Sequence, residues 1–344
     1  MKYYDGTKLL SLKDINGNDP EIYICTANRT AGKTTYFSRL LVNRFYDRKE
    51  KFCLIYRFVN ELSDVQEKFF KDIKALFFPY ATMSARRCAR GAYVELSINE
   101  KVCGYAVALN NADQLKKYSH VFSDVKRMLF DEFQSETGRY CNKEIEKFIS
   151  LHTSVARGRG EQVRRVPVFM VGNPVTILNP YYLELGITER LKSDTKFLRG
   201  AGFVLEHGFV DSAADAQKQS AFYQAFSKNK YAAYSAESVY LNDNDVFIES
   251  PAGRSRYVLT LRYNQKNFAV REYPDAGIIY CDDSSDESFP VRISTTTEDH
   301  QINTVMLSGR SPYVDAMRHY FTRGCFRFKN QICKAAVLSA FRFK

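Results

Sequence analysis

The chain of 344 residues is long enough for about two domains, each with a core of its own. Hydrophobic residues make up 45% and charged residues 26%, which is typical of globular proteins and excludes disordered and fibrous classes. No stretch reaches the roughly 18 uncharged apolar residues of a membrane span, and the N-terminal segment lacks the apolar core of a signal peptide. We therefore expect a cytoplasmic protein with no membrane partner.

Charge and cysteine content narrow the choice of partners. The net charge of +11 suggests a polyanionic partner, because clustered Lys and Arg side chains gain free energy from the release of phosphate counterions. The eight cysteines are scattered, without a Cys-x-x-Cys pair or a His at metal-ligand spacing. Reduced thiols are therefore favoured over a metal site.

Apolar segments of strand length organise the first part of the chain. Four of them are bounded by polar, Gly or Pro residues: residues 21–27, 52–59, 125–133 and 166–174. Between the first two, residues 33–48 place apolar side chains on one helical face. This succession of strand, loop, helix and strand predicts a parallel α/β sheet. Residues 88–109 alternate around a turn at 98–100, which predicts a hairpin at the edge of that sheet.

The composition changes after Gly208. Residues 208–242 are rich in Ala, Gln and Ser, which predicts a helical linker. Short alternating segments then predict four strands of a meander, residues 246–250, 255–264, 267–273 and 277–283, before closing helices near 314–321 and 331–341. We expect one domain over residues 1–207, the linker over 208–242, and a second domain over 243–344.

The stretch from Ala27 to Thr34 reads A-x-x-x-x-G-K-T, the pattern of a phosphate-binding loop with alanine in place of the opening glycine. Gly-Lys-Thr alone occurs by chance in many proteins, but here it follows a predicted strand and opens an amphipathic helix, as the motif requires. Unpaired N–H groups and the positive dipole of that helix N-terminus would bind phosphate oxygens. Alanine requires the loop to begin with ordinary backbone dihedrals. The expected nucleotide-binding residues are Ala27, Asn28, Arg29, Thr30, Ala31, Gly32, Lys33, Thr34 and Thr35.

Two acidic residues complete the predicted site. Lys33 would reach the β- and γ-phosphates, and the Thr34 hydroxyl would coordinate Mg²⁺. The segment RMLFDE places Asp131 at the end of a strand, where it can hold Mg²⁺, and Glu132 can polarise a water for attack on the γ-phosphate. The alternative is that the acids only mark a strand end. A small-molecule kinase has no need of a water-activating Glu, so the combination favours hydrolysis of ATP over phosphoryl transfer.

Three further groups fit an enzyme of this kind. Arg29 could stabilise transition-state charge from the same subunit. Arg157 and Arg159 lie on a glycine-flanked turn and could reach into a neighbour's site, although a basic surface loop is the alternative. Asn173 ends the fourth strand, where it could sense the γ-phosphate and the attacking water; a simple turn before Pro174 is the competing interpretation.

The C-terminal stretch from Arg318 to Lys344 has seven Lys or Arg and no acidic residue, interleaved with aromatic residues. Two interpretations stand side by side: a nucleic-acid contact surface, or a solvated basic helix whose aromatics lie in the core.

Together these motifs resemble the phi-29-like genome-packaging ATPases of small short-tailed phages, relatives of the large terminase subunits. The resemblance rests on an ordered series over nearly the whole chain: ANRTAGKT, FCLIYRFVNEL, MLFDEF, VARGRGEQVRR, NPVTILNPYY, VFIES and IIYCDD. It implies a ring, with five subunits expected, that docks at the phage portal and hydrolyses ATP with Mg²⁺ to drive double-stranded DNA into a procapsid. The protein would act in the host cytoplasm, transiently at the portal vertex, and would not remain in the mature virion.

The resemblance also implies roles for individual residues. Lys33 and Thr34 match the phosphate and magnesium positions, Asp131 the second magnesium position, and Glu132 the catalytic one. Arg29 matches the loop arginine of packaging ATPases, Arg157 the finger that acts in trans, with Arg159 as the alternative, and Asn173 the position that couples hydrolysis to motion.

Three basic residues are candidates for contact with DNA. Arg57 matches an arginine after the second strand of the family, although a lysine expected shortly after it is replaced by Val59. Arg139 and Lys143 lie shortly after the catalytic Glu132 in the chain, so ATP hydrolysis could be linked mechanically to their hold on DNA. The alternative is a solvated surface turn. Such contacts would be to phosphates, because a motor must move any sequence.

The resemblance implies a fold of two parts: a P-loop NTPase sheet of the additional-strand, catalytic-glutamate type, and a smaller RNase H-like α+β domain that is a vestigial nuclease. Acidic residues are present in that domain: Glu249, Asp282, Asp283, Asp286, Glu287 and Asp299. Two-metal nucleases need converging carboxylates. Because basic residues dominate the C-terminus, we favour a domain that binds DNA or an RNA scaffold over a live nuclease.

Three other functions stay open at this point. The chain could be another DNA-dependent ring ATPase, such as a helicase or partition protein. It could be a nucleic-acid-binding structural protein whose nucleotide site only switches conformation. It could also be a terminase with an active nuclease domain.

Overall fold

The structure is a computed structural model that describes residues 3–65, 69–158, 162–188, 190–191, 195–237, 240, 247–294, 296–306 and 311–341. The chain divides into two compact units, Met1–Asn242 and Asp243–Lys344, each with its own sheet. The second unit begins where the sequence predicts the C-terminal domain, and the segment predicted as a linker falls inside the first unit. Among the described residues, no helix is long and apolar enough to cross a membrane.

The part of the first unit that the structure describes forms a sheet of nine strands: β1 (Ile22–Thr26), β2 (Lys51–Tyr56), β3 (Met83–Cys88), β4 (Tyr93–Ile98), β5 (Lys101–Ala108), β6 (Val125–Asp131), β7 (Val168–Gly172), β8 (Phe197–Gly200) and β9 (Phe203–His207). Their order is β3-β4-β5-β2-β6-β7-β1-β9-β8. From β5 to β9 all neighbours are parallel, and antiparallel strands extend both edges. Because β7 lies between β1 and β6, the sheet is of the additional-strand type that the sequence predicts.

Helices cover both faces of this sheet. Their bounds are α1 (Thr7–Ser11), α2 (Lys33–Arg48), α3 (Lys71–Phe77), α4 (Ala112–Leu115), α5 (Glu144–Ala156), α6 (Pro180–Glu184), α7 (Asp211–Gln219), α8 (Ala221–Ala225) and α9 (Lys230–Glu237). Phe37 of α2 packs in one core with Leu129 of β6, and Phe148 of α5 packs in the opposite core with Phe130. Neighbouring β6 residues thus serve opposite faces, as expected for a parallel strand buried on both sides.

The predicted strands and the first long helix are confirmed. The four apolar segments form β1, β2, β6 and β7, the helix spans Lys33–Arg48, and residues 88–109 form the hairpin β4-β5 near one edge. The sequence did not predict β3, one of the two edge strands, because its consecutive residues Arg86 and Arg87 are both exposed and its apolar alternation is weak. Lone edge strands carry a weak hydrophobic pattern since only part of each face is buried.

The fold brings three strand ends together at the carboxyl edge of the sheet. Thr26 of β1 pairs with Gly172 of β7, and Asp131 of β6 pairs with Val171. The loops that follow these three strands therefore lie side by side. In open α/β sheets, ligands bind at this edge.

In its described residues the second unit has six strands, β10 (Arg256–Tyr263), β11 (Lys266–Tyr273), β12 (Ile278–Asp282), β13 (Arg292–Ser294), β14 (Val305–Met306) and β15 (Phe326–Phe328), with helices α10 (Pro312–Thr322) and α11 (Gln331–Phe341). The order is β14-β13-β10-β11-β12-β15. β10, β11 and β12 are antiparallel, whereas β13 is parallel to β10, β14 to β13, and β15 to β12 at the opposite edge. Three antiparallel strands followed on one side by two parallel ones fit the RNase H-like arrangement that the resemblance implies, to which β15 adds a sixth strand on the other side.

Two details of the second unit bear on the sequence prediction. The strand predicted over 246–250 is wrong for the described residues 247–250, where an isolated bridge joins Ile248 to Phe328; residue 246 lies outside the described residues. In the C-terminal stretch, Phe326 and Phe328 are fully buried and their rings stack at 4.9 Å. Burial of these two rings leaves the basic residues of the stretch able to contact nucleic acid, so both interpretations of the stretch stay predictions.

Candidate nucleotide-binding site

The loop from Ala27 to Gly32 joins β1 to α2 at the carboxyl edge of the sheet. Left-handed backbone occurs at Thr30 (φ 59°) and at Gly32 (φ 88°), which is the N-cap of α2. Ala27 is fully buried and is not among the residues with positive φ. The loop therefore tolerates alanine at its first position, because the turn that needs glycine lies five residues later.

Lys33 is buried at the start of α2, with 6% of its surface exposed. Its Nζ donates to the carbonyl oxygens of Ala27 and Asn28, both at 2.9 Å, and to Oδ1 of Asn173 at 3.1 Å. These three acceptors match the three donors of an ammonium group. Burial lowers the pKa of Lys33 to about 8. The structure thus brings the predicted Lys33 and Asn173 into direct contact.

Thr34 and the acidic pair of β6 meet opposite this lysine. The Thr34 hydroxyl donates to Oδ1 of Asp131 at 3.1 Å, and the same oxygen accepts from the backbone N–H of Glu132 at 3.0 Å. Burial, together with the charge of Glu132, raises the pKa of Asp131 to about 6. A hydroxyl beside a carboxylate is the oxygen-donor set that Mg²⁺ takes in company with nucleotide phosphates.

No group of three or more His, Cys, Asp or Glu side chains in the described part of the chain could hold a metal ion by itself. A metal ion at Thr34 and Asp131 would therefore need phosphate oxygens or water as further ligands, which is the usual situation of Mg²⁺ at nucleotides.

A cavity of about 760 Å³ opens over the loop. Its lining includes loop residues together with Asp131, Glu132 and Asn173, and also aromatic side chains such as Tyr3, Tyr36 and Phe77. The volume lies in the range of small-molecule and cofactor sites. Of the predicted residues, Arg29, Thr30, Ala31, Gly32, Lys33, Thr34, Thr35, Asp131, Glu132 and Asn173 line this cavity.

Arg29 lines the same cavity and pairs with a residue that the sequence did not single out. Its Nη2 lies 2.5 Å from Oε1 of Glu136, and its guanidinium carbon lies 5.3 Å from the ring centre of Tyr231. The hydroxyls of Tyr231 and Tyr234, both on α9, donate to Glu136 at 3.1 and 2.7 Å. The backbone N–H of Arg29 also donates to the carbonyl of Ser235, so α9 is fastened to the phosphate loop.

The DNA contact predicted for Arg57 is contradicted by its position. The residue is 7% exposed, and its Nε lies 3.1 Å from both carboxylate oxygens of Glu144. Its Nη1 and Nη2 donate to the carbonyls of Glu132 at 3.3 Å and Phe133 at 2.6 Å. Since the guanidinium is buried and its three nitrogens already donate, it does not face a passing phosphate.

The other basic candidates are exposed. Arg139 and Lys143 lie on the loop between Glu132 and α5, with the guanidinium carbon of Arg139 at 6.0 Å from the ring centre of Phe58. Arg157 caps the C-terminus of α5 and is exposed, whereas Arg159 lies outside the described residues. Their exposure fits a contact with DNA or with a neighbouring subunit, and the predicted roles of these residues stay predictions.

The acidic residues of the second unit are bound one by one instead of converging. Asp282 pairs with Arg271 at 2.9 Å, Asp283 with Lys329 at 2.5 Å and Glu249 with Arg327 at 3.2 Å. Asp299 accepts from the backbone N–H groups of Asn264 and Gln265. Asp286 accepts from Ser288, and Glu287 is exposed. Among the described residues they do not form a metal-binding group.

An additional-strand parallel sheet, a Gly-Lys-Thr loop that opens a helix and an Asp-Glu pair at the end of β6 define the class of P-loop NTPase folds. Within that class the chain belongs to the family of podovirus DNA encapsidation proteins (Gp16), whose model matches residues 1–344. This confirms the family that the motifs resemble.

Individual relatives match over nearly the whole chain. The DNA packaging protein of Bacillus phage phi29 is 23% identical over 344 residues, covering 99% of this chain and 97% of the relative. That of Bacillus phage B103 is 24% identical over 318 residues, covering 91% and 94%. In the solved bacteriophage Phi-29 viral genome packaging motor assembly, a chain of 23% identity superposes with a TM-score of 0.71, covering 99% of both chains. A chain of the Phi-28 gp11 DNA packaging motor, 15% identical, gives 0.60 and covers 99% and 98%. These two structures share the fold.

Proposed function

We propose that this protein is an ATPase that packages phage DNA, using the free energy of ATP hydrolysis to move the double strand. One observation carries the proposal: Lys33, Thr34, Asp131 and Glu132 line a single cavity at the carboxyl edge of the sheet. These are the residue types that bind phosphate, hold Mg²⁺ and activate water in such enzymes. Membership of the DNA encapsidation family supports the same conclusion.

Each residue of the cavity has a chemical task in this proposal. Lys33 would exchange its carbonyl partners for the β- and γ-phosphate oxygens. Thr34 and Asp131 would hold Mg²⁺, whose charge would offset that of the phosphates. Glu132 is exposed beside Asp131 and accepts a proton from the attacking water. Asn173 already binds Lys33, so it can report the presence of the γ-phosphate to the loop after β7.

Two arginines would complete the site. Arg29 has to leave Glu136 before it can reach the phosphates from the same subunit. Arg157 is exposed at the end of α5, and in this proposal it acts on a neighbour's nucleotide. Stabilising the charge of the transition state is the task of such arginines.

We also propose the assembly in which the ATPase works. The subunits form a ring, with five expected, at the portal vertex of the procapsid in the host cytoplasm, as suggested by the likeness to a chain of the Phi-29 motor assembly. Arg139 and Lys143 contact DNA phosphates, and the second unit binds DNA or an RNA scaffold. The paired acids of that unit support a binding role over a nuclease.

The test is ATP hydrolysis measured with and without double-stranded DNA and procapsids. We expect hydrolysis by the wild type that rises when both are added, loss of binding and turnover in Lys33→Ala, and loss of turnover with retained ATP binding in Glu132→Gln. Stimulation by DNA alone, with no further effect of procapsids, would favour a helicase or partition ATPase. Normal function of Glu132→Gln would favour a nucleotide switch, and plasmid nicking that disappears with Asp282→Asn would favour a nuclease.

A further inference from the structure

We propose that Glu144 is a positioning residue of the hydrolytic site, which acts through Arg57 on the backbone that carries Glu132. The inference rests on the catalytic role proposed above for Glu132. Neither Glu144 nor Arg57 touches the nucleotide loop directly; the two form a buried pair on the other side of the Glu132 backbone.

Glu132 has an unusual backbone that the surrounding structure must hold. Its φ of 53° is in the left-handed region, where a residue with a Cβ is destabilised, by about 1 kcal/mol or more. Such a conformation persists only when neighbouring groups fix it. The direction of the Glu132 side chain depends on this backbone conformation, because the side chain is attached at the same Cα atom.

All four backbone polar groups of Glu132 and Phe133 have partners. The two N–H groups donate to Oδ1 of Asp131 and to the carbonyl of Val171. The two carbonyl groups both accept from Arg57. One guanidinium group therefore fixes both consecutive peptide planes on the C-terminal side of the catalytic Cα.

Arg57 is itself immobilised. Its guanidinium carbon lies 5.4 Å from the ring centre of Phe130 and 5.0 Å from that of Tyr140. Its Nε is bound by both oxygens of Glu144. Because the guanidinium is planar and rigid, it loses little entropy when its nitrogens are held by several acceptors. A lysine ammonium cannot present N–H donors in the same forked geometry.

Glu144 fixes the whole arrangement from the start of α5. Its carboxylate also accepts from the backbone N–H of Cys141 at 2.7 Å and from the Tyr181 hydroxyl at 2.8 Å, and 2% of the side chain is exposed. Buried ion pairs often add little net stability, because desolvation offsets the Coulomb attraction. The pair of Glu144 and Arg57 instead fixes the geometry of the backbone at Glu132.

The experiment compares Glu144→Gln and Arg57→Lys with matched variants of a surface pair on β3 and β4, Glu95→Gln and Arg86→Lys, whose side chains are 19% and 76% exposed. We expect kcat to fall about 10- to 100-fold in the first two, because a displacement of about 1 Å at a reacting group can cost 10²-fold. Binding of a nonhydrolysable ATP analogue should stay within about twofold, since Glu132 acts on water and leaves ground-state binding unchanged. The surface-pair variants should keep wild-type kcat.

Wild-type kcat in Glu144→Gln and Arg57→Lys would overturn the inference, and so would an equal loss of kcat and analogue binding, which indicates general damage to the fold. If either variant fails to fold, Tyr181→Phe removes one donor to Glu144 while the ring keeps its packing. We expect its kcat to fall, and an unchanged value would again overturn the inference. Glu132→Gln is measured in parallel: if it is inactive while Glu144→Gln is fully active, only the positioning role fails, whereas an active Glu132→Gln rejects the proposed function itself.

Discussion

At the scale of single residues, two of the charged groups that line the nucleotide cavity, Lys33 and Asp131, have pKa values shifted towards neutral pH. Burial lowers the pKa of Lys33 to about 8, and burial with the Glu132 charge raises the pKa of Asp131 to about 6. Desolvation disfavours the charged form of either group, so the two shifts have opposite signs. Lys33 is charged below its pKa and Asp131 above its own, which leaves a window of about two pH units in which both charges are present.

We predict that the affinity for ATP with Mg²⁺ is highest inside this window. The dissociation constant should rise below about pH 6 as Asp131 gains a proton, and above about pH 8 as Lys33 loses one. Titration of a fluorescent ATP analogue across this range measures both limbs. In Asp131→Asn the protein group that titrates on the acid side is removed, so only protonation of the nucleotide phosphate should raise the dissociation constant there. In Lys33→Arg the rise at alkaline pH should vanish, because the guanidinium stays charged. A dissociation constant independent of pH would contradict the prediction.

A second prediction concerns the pair of Arg29 and Glu136, whose side chains are 35% and 30% exposed. We expect Glu136→Gln to raise the basal kcat by about two- to fivefold, because removing a partly screened ion pair of at most about 1 kcal/mol frees the arginine to reach the phosphates. Arg29→Ala should lower kcat by about 100-fold, as loss of a transition-state donor usually does. Steady-state hydrolysis measures both variants. A lower kcat in Glu136→Gln would show that the observed pairing assists catalysis.

The residues that could be predicted from the sequence are those whose roles depend on local order. Lys33 and Thr34 follow a strand and open a helix, and Asp131 and Glu132 end a buried strand. Their roles can therefore be predicted from the residues next to them in the sequence. The partners of Arg29 and Arg57 lie 107 and 87 positions away. Glu144 looks like any acidic residue in the first turn of a helix, and burial of Arg57 depends on pairing that only the folded sheet creates.

At the scale of elements, most buried strands of the first unit were predictable, whereas the short buried strand β9 (Phe203–His207), the exposed edge strand β3 and the shortest strands were not. β1, β2, β6 and β7 are continuous apolar runs because helices cover both of their faces. β13, β14 and β15 have only two or three residues each, which is too few to set a period. Residues 246–250 have strand-like composition, but with an isolated bridge at Ile248 the backbone does not continue a ladder.

The phosphate loop itself gives a third prediction. Restoring the motif's glycine, Ala27→Gly, should destabilise the protein by about 1 to 2 kcal/mol without improving nucleotide affinity. Ala27 is fully buried with ordinary φ, so the change removes a buried methyl group and adds freedom to the unfolded chain. Urea unfolding and analogue binding measure the two effects. Tighter binding by Ala27→Gly would mean that the loop strains at this position when phosphate is bound.

At the scale of the whole molecule, the proposed ring makes the site depend on more than one copy of the chain. Lys33, Asp131 and Glu132 come from one subunit, whereas Arg157 lies exposed at the far end of α5. In a ring the interfaces are head-to-tail, so two different surfaces meet at each one. Each subunit therefore presents one surface to the nucleotide site of one neighbour, and its own site faces the corresponding surface of the other neighbour. Defects in Glu132 and in Arg157 should therefore complement each other between subunits.

We predict that an equal mixture of Arg157→Ala and Glu132→Gln subunits hydrolyses ATP faster than either variant alone. Random mixing places an intact Glu132 next to an intact Arg157 at roughly a quarter of the interfaces, because each partner is the required variant half of the time. Activity well above both single variants, measured with DNA and procapsids present, is the expected result. Mixing Lys33→Ala with Glu132→Gln is the matched control, since both residues serve the same subunit's nucleotide and no neighbour can replace either. Equal activity of the two mixtures would place Arg157 on the surface or in its own subunit's site.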